Sequence, residues 1–452
     1  VALFGRDCSV QRRHQKIIEE GPVVAAQPDI WKELEAAAVR LAKTVGYTGA
    51  GTVEYLYQGD VQAGEFYFLE LNPRLQVEHP VTEWITGVNL PALQLHIAMG
   101  VPLNKTPSIR RFFGCKHTAV NLAGTDSPDP FNGEALDVAT ATPRPPRGHV
   151  IACRVTAENP EEGFQPTSGS IQELTFRNTP DVWGYFSVVA HGGVHEFADS
   201  QFGHLFAWGE NRDASRRSMA LALRDLSIRG DIRTTVEYLI KLLELPDFVE
   251  NKISTKWLDR LISAKMSPER PPTELVVLAG GVCRAHMTFQ QRHGDFLASL
   301  ERGQLPNATD DLKTVRVEMI YEDFKYRLDI TLAGPSCYRI CLNESVAVVE
   351  VTALADGGVL LILDGHSYVA YMKEEAAGLR ITLNGKTCLF PKEYDPSNLL
   401  ASATGKLVRF LVEDGSHVGQ GAPYAELEVM KMYLALTAPE SGIIQTHKSA
   451  GS

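Results

Sequence analysis

Three observations predict an α+β chain divided among several domains. Strand-like and helix-like runs mix up to about residue 262. A helical stretch from 273 to Leu300 then gives way to closely spaced alternating strands. Two breaks, Ser267–Pro272 and roughly 391–402, set these regions apart from each other and from a last all-β stretch. At 452 residues the chain has room for about three domains. Hydrophobic residues at 44% and charged residues at 22% describe an ordinary globular protein. A net charge of −11 argues against a nucleic-acid binder or a binder of anionic membranes, since both partners would be repelled. No apolar run approaches the roughly 20 residues of a membrane helix. Seven scattered cysteines make no disulfide framework and suit a reducing compartment, so the cytoplasm is expected, with a plastid or other organelle staying open.

The first residues, Val1-Ala2-Leu3-Phe4-Gly5, are apolar and strand-like, with no initiator methionine and no signal-peptide pattern. Residues 6–20 set Arg6, Arg12, Arg13, His14 and Lys16 against Glu19 and Glu20, which alone read as a solvated strand edge. Residues 28–46 predict a helix, with Asp29 as N-cap and Leu34, Ala37, Ala38, Leu41 and Ala42 as its apolar stripe; Gly46 ends it. Gly51–Pro80 predicts a hairpin, its runs Val53–Tyr57 and Phe66–Leu71 flanking a polar turn with Gly59, Asp60 and Gly64. Alternation places Phe68, Glu70 and Asn72 on one face and Tyr67, Leu69 and Leu71 on the other. Strand pairing would bring Glu54 beside Glu70. Two carboxylates and an amide oxygen on one pleated face make a hard-oxygen site suited to Mg²⁺. Spacing alone favours a half-solvated hairpin over a metal site, and Glu78 beside Arg74 reads by default as a surface ion pair.

Val81–Thr86 predicts one or two helical turns ended by Gly87, and Asn89 caps a second helix running to Gly100, with Pro91 in its first turn. His96 falls on that helix's surface. Residues 115–148, rich in Gly, Ser, Asp, Thr and Pro, predict an exposed loop. Val150–Val155 is a strand with Ile151, Cys153 and Val155 on one face and Arg154 on the other. Residues 158–262 alternate short strands with Gly-rich turns, then give amphipathic helices at Glu210–Leu226 and Arg233–Leu245. Gly192-Gly193 is a turn, since it lacks the Gly-Lys-Ser/Thr ending of a phosphate loop. Strands follow at Thr314–Tyr321, Lys325–Leu332, Val346–Val351, Val359–Leu363, Leu379–Leu383 and Thr387–Phe390, spaced as a small barrel or curled sheet. Cys337 and Cys341 fall on a strand too. Near the end, Lys431 lies between Met430 and Met432 and between two strand-like runs. That fits a tight turn projecting the amine beyond the sheet.

The run FLELNPRLQVEHPVTE closely resembles the active-site segment of biotin carboxylases, members of the ATP-grasp superfamily. RDCSVQRRHQKIIEE (Arg6–Glu20) and RGHVIACRVTAENP (Arg147–Pro160) resemble two further segments of that family, in the same order. With GVNLPALQLHIAMG, their wording is most similar to the eukaryotic multidomain acetyl-CoA carboxylases. SATGKLVRFLVEDGSHVGQGAPYAELEVMKMYLALTAPESGIIQ resembles a biotinyl carrier domain, and Glu428–Met432 its attachment signature. The resemblance implies three parts. Residues 1–266 are the C-terminal part of an ATP-grasp domain and the biotin carboxylase C-terminal subdomain. Residues 273–390 are a linking or interaction domain of one helix and a β-barrel, and residues 402–452 a biotinyl carrier, an all-β hammerhead sandwich. The biotin carboxylase N-terminal domain and lid would precede Val1, and strands closing the carrier would follow Ser452. The isolated chain is therefore expected to be inactive.

For the site, the resemblance implies covalent biotin on Lys431 and ATP with Mg²⁺ or Mn²⁺ held by Glu54, Glu70 and Asn72, with His14 at the nucleotide. Lys16 and Arg74 would hold bicarbonate, with Gln76 and the Val77 backbone completing its cradle. Glu78 would take the bicarbonate proton as bicarbonate attacks ATP to give carboxyphosphate. Arg154 would stabilise the biotin enolate. The implied partners are a carboxyltransferase domain, a biotin protein ligase and a second copy of the chain. The resulting expectation is malonyl-CoA production for fatty-acid biosynthesis. Two other readings stay open: a carboxylase of propionyl-CoA, pyruvate or urea, and a non-catalytic fragment that binds carboxylase partners.

Overall fold

The computed structural model describes all residues except 60–63, 116–135, 196, 265–269, 305–311, 376–377, 394–397, 400, 402–404, 430–431 and 448–452, and the side chain of Met432. Three apolar bodies follow one another along the chain. The first is built on a five-stranded antiparallel sheet. Strand β1 (Asp7–Arg12) pairs with β2 (Gln15–Gly21), β2 with the later strand His149–Thr156, and that strand with Gln201–Gly209 and then Val182–Phe186. His149–Thr156 is the hub. Ile151, Cys153 and Val155 pack into a cluster with Ile18, Leu205, Met219 and Leu239 on one face, while Val150 and Ala152 meet Val81, Ile85 and Phe206 on the other. A strand covered on both faces must be apolar on both, and Arg154 is its one residue that is not fully buried. That exception looks into the site.

Helix α1 (Pro28–Thr44) starts where the sequence places it, but its N-cap is Gln27, two residues before Asp29; Pro28 is the first helical residue and Asp29 an acid in the first turn. Only Leu34 of its stripe is buried. Strands β3 (Thr52–Gln58) and β4 (Glu65–Asn72) form a separate hairpin, held by Tyr55 between the rings of Phe66 and Phe68 at 5.4 and 6.3 Å. Helix α2 (His79–Thr86) ends at Gly87 with φ of 72°, a left-handed cap that glycine takes without Cβ cost. Helix α3 (Leu90–Ala98) starts where the Asn89 side chain accepts from Ala92 N at 2.8 Å. The predicted loop at 115–148 lies largely outside the described residues; a short helix, α4 (Pro107–Phe112), precedes it. The sheet strand His149–Thr156 follows as β5.

The second body is an eight-stranded antiparallel meander from Thr314 to Pro391, each strand paired with the next. The strand expected at Cys337 and Cys341 is Cys337–Leu342, and one strand, His366–Glu374, is an addition to those read from the sequence. Tyr321 and Phe390, on its first and last strands, face each other at 5.2 Å, so the sheet curls nearly closed. A 29-residue helix, Thr273–Glu301, lies against it. Two glycines in mid-helix cost roughly 1 kcal/mol each relative to alanine, and packing accounts for them. A Cβ on Gly280 would stand 2.4 Å from Phe390, and one on Gly281 2.3 Å from Leu328. Gly280→Ala should therefore destabilise by about 1–3 kcal/mol through overpacking. Gly294→Ala, on the same helix with nothing within 4 Å, should stabilise by up to about 1 kcal/mol. Urea unfolding of the two variants side by side checks both signs.

The barrel is tied to the first body by charge. Arg229 lies 3.9 Å over the Tyr371 ring and 3.2 Å from Asp356; Lys373 pairs with Asp231; Thr387 Oγ1 donates to Glu237 at 2.6 Å. The third body, the carrier region, has one sheet of Lys406–Phe410, Pro423–Val429 and Met432–Thr437, and a second of His417–Val418 with Gly442–Ile443. Between them Val418, Tyr424, Ala425, Ala438 and Ile444 are buried. Among the described residues no helix is long and apolar enough to cross a membrane, and all seven cysteines are free thiols.

Candidate active site

The β1–β2 hairpin turns through Arg13 and His14, with φ of 47° and 66°. A two-residue turn with both centres left-handed favours Asn-Gly, so a basic pair here carries backbone strain of order 1–3 kcal/mol per residue. The turn holds His14 out into solvent, and Lys16 follows on β2, half buried. Burial opposes the charge on Lys16, but Cys8, Glu54 and Glu19 outweigh it and raise its pKa, so it remains an ammonium. It pairs with Glu54 on β3.

Glu54 and Glu70 are direct cross-strand partners. The next pair is Tyr55 with Phe68, which leaves Leu69 as an extra residue, a β-bulge. The bulge corrects the expected alternation: Phe68 shares its face with Tyr55, opposite Glu70, and not with Glu70 and Asn72. The side chain of Asn72 joins the two carboxylates, its Nδ2 donating to Glu54 at 3.0 Å and to Glu70 at 2.7 Å. Thus the amide nitrogen, not the oxygen, faces the acids, and with Lys16 it supplies the positive character that adjacent carboxylates need. Among the described residues no group of three or more His, Cys, Asp or Glu is arranged to hold a metal. Two carboxylates and a reversible amide still fit a hard divalent cation that shares its remaining positions with phosphate and water.

Beyond β4 the chain turns sharply, Arg74 N bonding Asn72 O at 2.9 Å. Arg74 is exposed, with Nη1 donating to the Leu75 carbonyl at 3.3 Å. Val77 is exposed as well. Gln76 and Glu78 alternate with them and are buried, at 7% and 4% exposure. Glu78 is therefore not the surface partner of Arg74. It accepts from Arg154 Nη2 at 2.9 Å, across the gap from β5. Burial pushes its pKa up, but His204, Arg154 and Arg6 outweigh that and hold it below the usual carboxylate range. His204, the cross-strand neighbour of Arg154, is itself driven down to about 4, by burial first. At neutral pH it is uncharged, and the two guanidinium groups are what hold the anion. The Nε of Arg154 is buried without a hydrogen-bond partner, a donor left for something else.

Arg6, Glu19 and His204 belong to this site and were not singled out from the sequence. The mixed charges of residues 6–20 make Arg6 look like part of a solvated edge, yet its Nε donates to Glu19 at 2.8 Å and its Nη1 to Thr82 at 3.3 Å. The signal available was the apolar pair Ile17-Ile18 directly before Glu19, which marks a strand interior and not an edge. At the other end of the chain, Lys431 lies outside the described residues; Val429 pairs with Met432 on either side of it.

Four family models match the chain: the ATP-binding domain of the carbamoyl-phosphate synthase L chain over residues 1–106, the biotin carboxylase C-terminal domain over 152–260, the acetyl-CoA carboxylase BT domain over 272–391, and a biotin-requiring enzyme domain over 397–449. Acetyl-CoA carboxylase of Dictyostelium discoideum is 52% identical over 457 residues, spanning 100% of this chain and 19% of that protein. The Schizosaccharomyces pombe and Saccharomyces cerevisiae acetyl-CoA carboxylases are each 49% identical over all of this chain and 20% of their own length. The chain thus spans about a fifth of the length of these relatives. Among solved structures, the biotin carboxylase domain of a thermophilic 2-oxoglutarate carboxylase bound to bicarbonate is 29% identical, with a TM-score of 0.48 over 59% of this chain and 51% of its own. A biotin carboxylase from Campylobacter jejuni is 31% identical, with a TM-score of 0.45 over 56% and 48%.

Proposed function

We propose, for a chain that belongs to the acetyl-CoA carboxylase family, that it carries the bicarbonate-activating half-site and the biotin carrier of a biotin-dependent carboxylase. In this reading ATP and bicarbonate are consumed to carboxylate biotin on Lys431, and acetyl-CoA is the final acceptor, giving malonyl-CoA for fatty-acid biosynthesis. The observation that carries it is the buried Glu78 carboxylate, pinned by Arg154 two residues after Gln76, whose Nε2 lies 3.4 Å from Glu54 in the Lys16–Glu54–Glu70–Asn72 cluster. A base, an anion-holding cation and a metal-binding pair of acids meet at one place, drawn from four separate elements.

Each residue has a task that follows from its surroundings. Glu54 and Glu70, with Asn72 once its amide turns its oxygen inward, would hold Mg²⁺, which would neutralise phosphate charge. Lys16 stands over the same carboxylates and screens bicarbonate from them, with Gln76 and the Val77 backbone as further donors. Arg74, exposed at the rim, must swing inward to join them, and His14 reaches the nucleotide from its strained turn. Glu78 takes the proton of bicarbonate. A depressed pKa makes it a weak base, so its effect comes from position more than from basicity. Arg154, with its unpartnered Nε, offers a fixed cation to the anion that develops on the acceptor ring. Tethering raises the carrier's local concentration at each site without any new contact. A biotin protein ligase and a carboxyltransferase are its partners, the chain acts as an oligomer, and the cytoplasm suits its free thiols.

The test captures the intact protein on avidin and supplies labelled bicarbonate, ATP and Mg²⁺ with acetyl-CoA, propionyl-CoA, pyruvate or urea in turn. Labelled malonyl-CoA from acetyl-CoA alone is the expected result. Label in another product would reassign the acceptor, and no label on protein or acceptor would overturn the reading.

A further inference from the structure

Arg6 is the most heavily engaged side chain at the site that no catalytic step uses. It lies just before β1, and its side chain is 12% exposed. Its guanidinium meets three partners from three elements: Glu19 on β2, Thr82 on α2, and Gln76 in the segment after β4. The Gln76 contact decides chemistry. A guanidinium has only donors, so the amide group facing it must be the oxygen. With Oε1 taken by Arg6, the Nε2 of Gln76 is turned the other way, toward Glu54 Oε1 at 3.4 Å, on the side where Lys16 and the metal-binding acids gather. An unconstrained glutamine would present either end to that space. Presenting its oxygen to an anion would repel it; presenting its NH₂ group attracts it.

We propose that Arg6 is a positioning residue of the anion cradle: it locks the Gln76 side-chain amide so that its NH₂ group, and not its oxygen, is offered to bicarbonate. This rests on the bicarbonate-activating reading above. Glu19 keeps Arg6 in place, accepting from its Nε at 2.8 Å. Arg6 also helps hold Glu78 as an anion, so its loss alone would confound two effects. The measurement must separate them.

Bicarbonate-dependent ATP hydrolysis by the intact protein provides the readout. Arg6→Lys keeps a cation for Glu19 and Glu78 but loses the fork that reaches Glu19 and Gln76 together. It should raise the KM for bicarbonate about tenfold, the scale of one charge-assisted hydrogen bond, while the KM for MgATP stays put. Removing Arg6 outright would leave Glu19 buried and unpaired, so the stronger variant is the neutral pair Arg6→Met with Glu19→Gln, checked for an unchanged melting temperature. Adding Gln76→Ala to either background should cost nothing further, because Arg6 acts through Gln76. An unchanged bicarbonate KM in Arg6→Lys, or a Gln76→Ala loss that adds in full, overturns the positioning role. Wild-type protein whose ATP hydrolysis ignores bicarbonate overturns instead the reading beneath it.

Discussion

Replacing Glu78 with glutamine should lower the rate of bicarbonate-dependent ATP hydrolysis by about 10²–10⁴, the range general bases contribute, with the KM for MgATP little changed. Glutamine keeps the size of the side chain and an oxygen for Arg154 Nη2, now 2.9 Å from the carboxylate, but cannot accept a proton. The fold should tolerate the change better than most losses of a buried charge. Glu78 raises the pKa of buried Glu19, so removing it relieves one repulsion while breaking one attraction. The pH profile gives an independent check. Glu78 has its folded pKa depressed below 4.5, so it is already fully ionised at neutral pH. Activity limited by this base, at constant bicarbonate, should be flat from about pH 7 to 8.5, with no inflection from Glu78 in that range. Kinetics at saturating bicarbonate over that window, for wild type and Glu78→Gln, decide the matter. A variant within tenfold of wild type would remove Glu78 from the proton transfer.

How far the site was legible depended on how local its signals are. Strand Thr314–Tyr321 shows the alternating burial its sequence alternation announces, and Asn89 and Gly87 cap their helices as their residue types require. These features are settled by neighbours within four residues. The bulge at Leu69 is not. Nothing in Phe66–Leu71, apolar or aromatic at nearly every position, marks which residue slips; only the pairing of Tyr55 with Phe68 does, and that is set by two rings. The bulge nonetheless puts Glu70 opposite Glu54 and turns Phe68 away. Arg6 was illegible for a related reason: its partners are 13, 70 and 76 residues distant, and a lone arginine among mixed charges looks solvated by default. Strand His366–Glu374 also went unread, because its one fully buried residue, Ala370, carries no strand preference. The resemblance located Glu78 and Arg154 but said nothing of what they rest on.

What they rest on should be measurable as stability. Glu20, on β2 and 2% exposed, receives Arg212 Nε at 2.6 Å and Nη2 at 2.9 Å on its two oxygens, and His149 Nε2 lies 2.8 Å away. Three elements meet there: β2, the start of β5, and the helix Arg212–Asp225, whose first residue also lies 4.7 Å over Phe248. Glu20→Gln keeps the shape but leaves Arg212 partly buried without its counter-charge, at a cost of about 3–5 kcal/mol. The pH dependence has a definite sign. Burial pushes the Glu20 pKa up, but the bonds from His149 and Arg212 outweigh it and hold the folded value below 4.5. The unfolded chain therefore binds the proton first as pH falls. The stabilisation is complete above about 4.5 and is lost as pH falls through the folded value. Urea unfolding at pH 7, 5 and 4 should show wild type and variant far apart at the first two, with the gap beginning to narrow at the last. Because Lys16 and Glu19 lie on the same strand, Glu20→Gln should also loosen the anion cradle below its unfolding temperature, raising the bicarbonate KM without touching any group that meets substrate. A loss under about 1 kcal/mol at pH 7 would mean that β2 is held by its apolar face alone and that the buried charges are incidental to it.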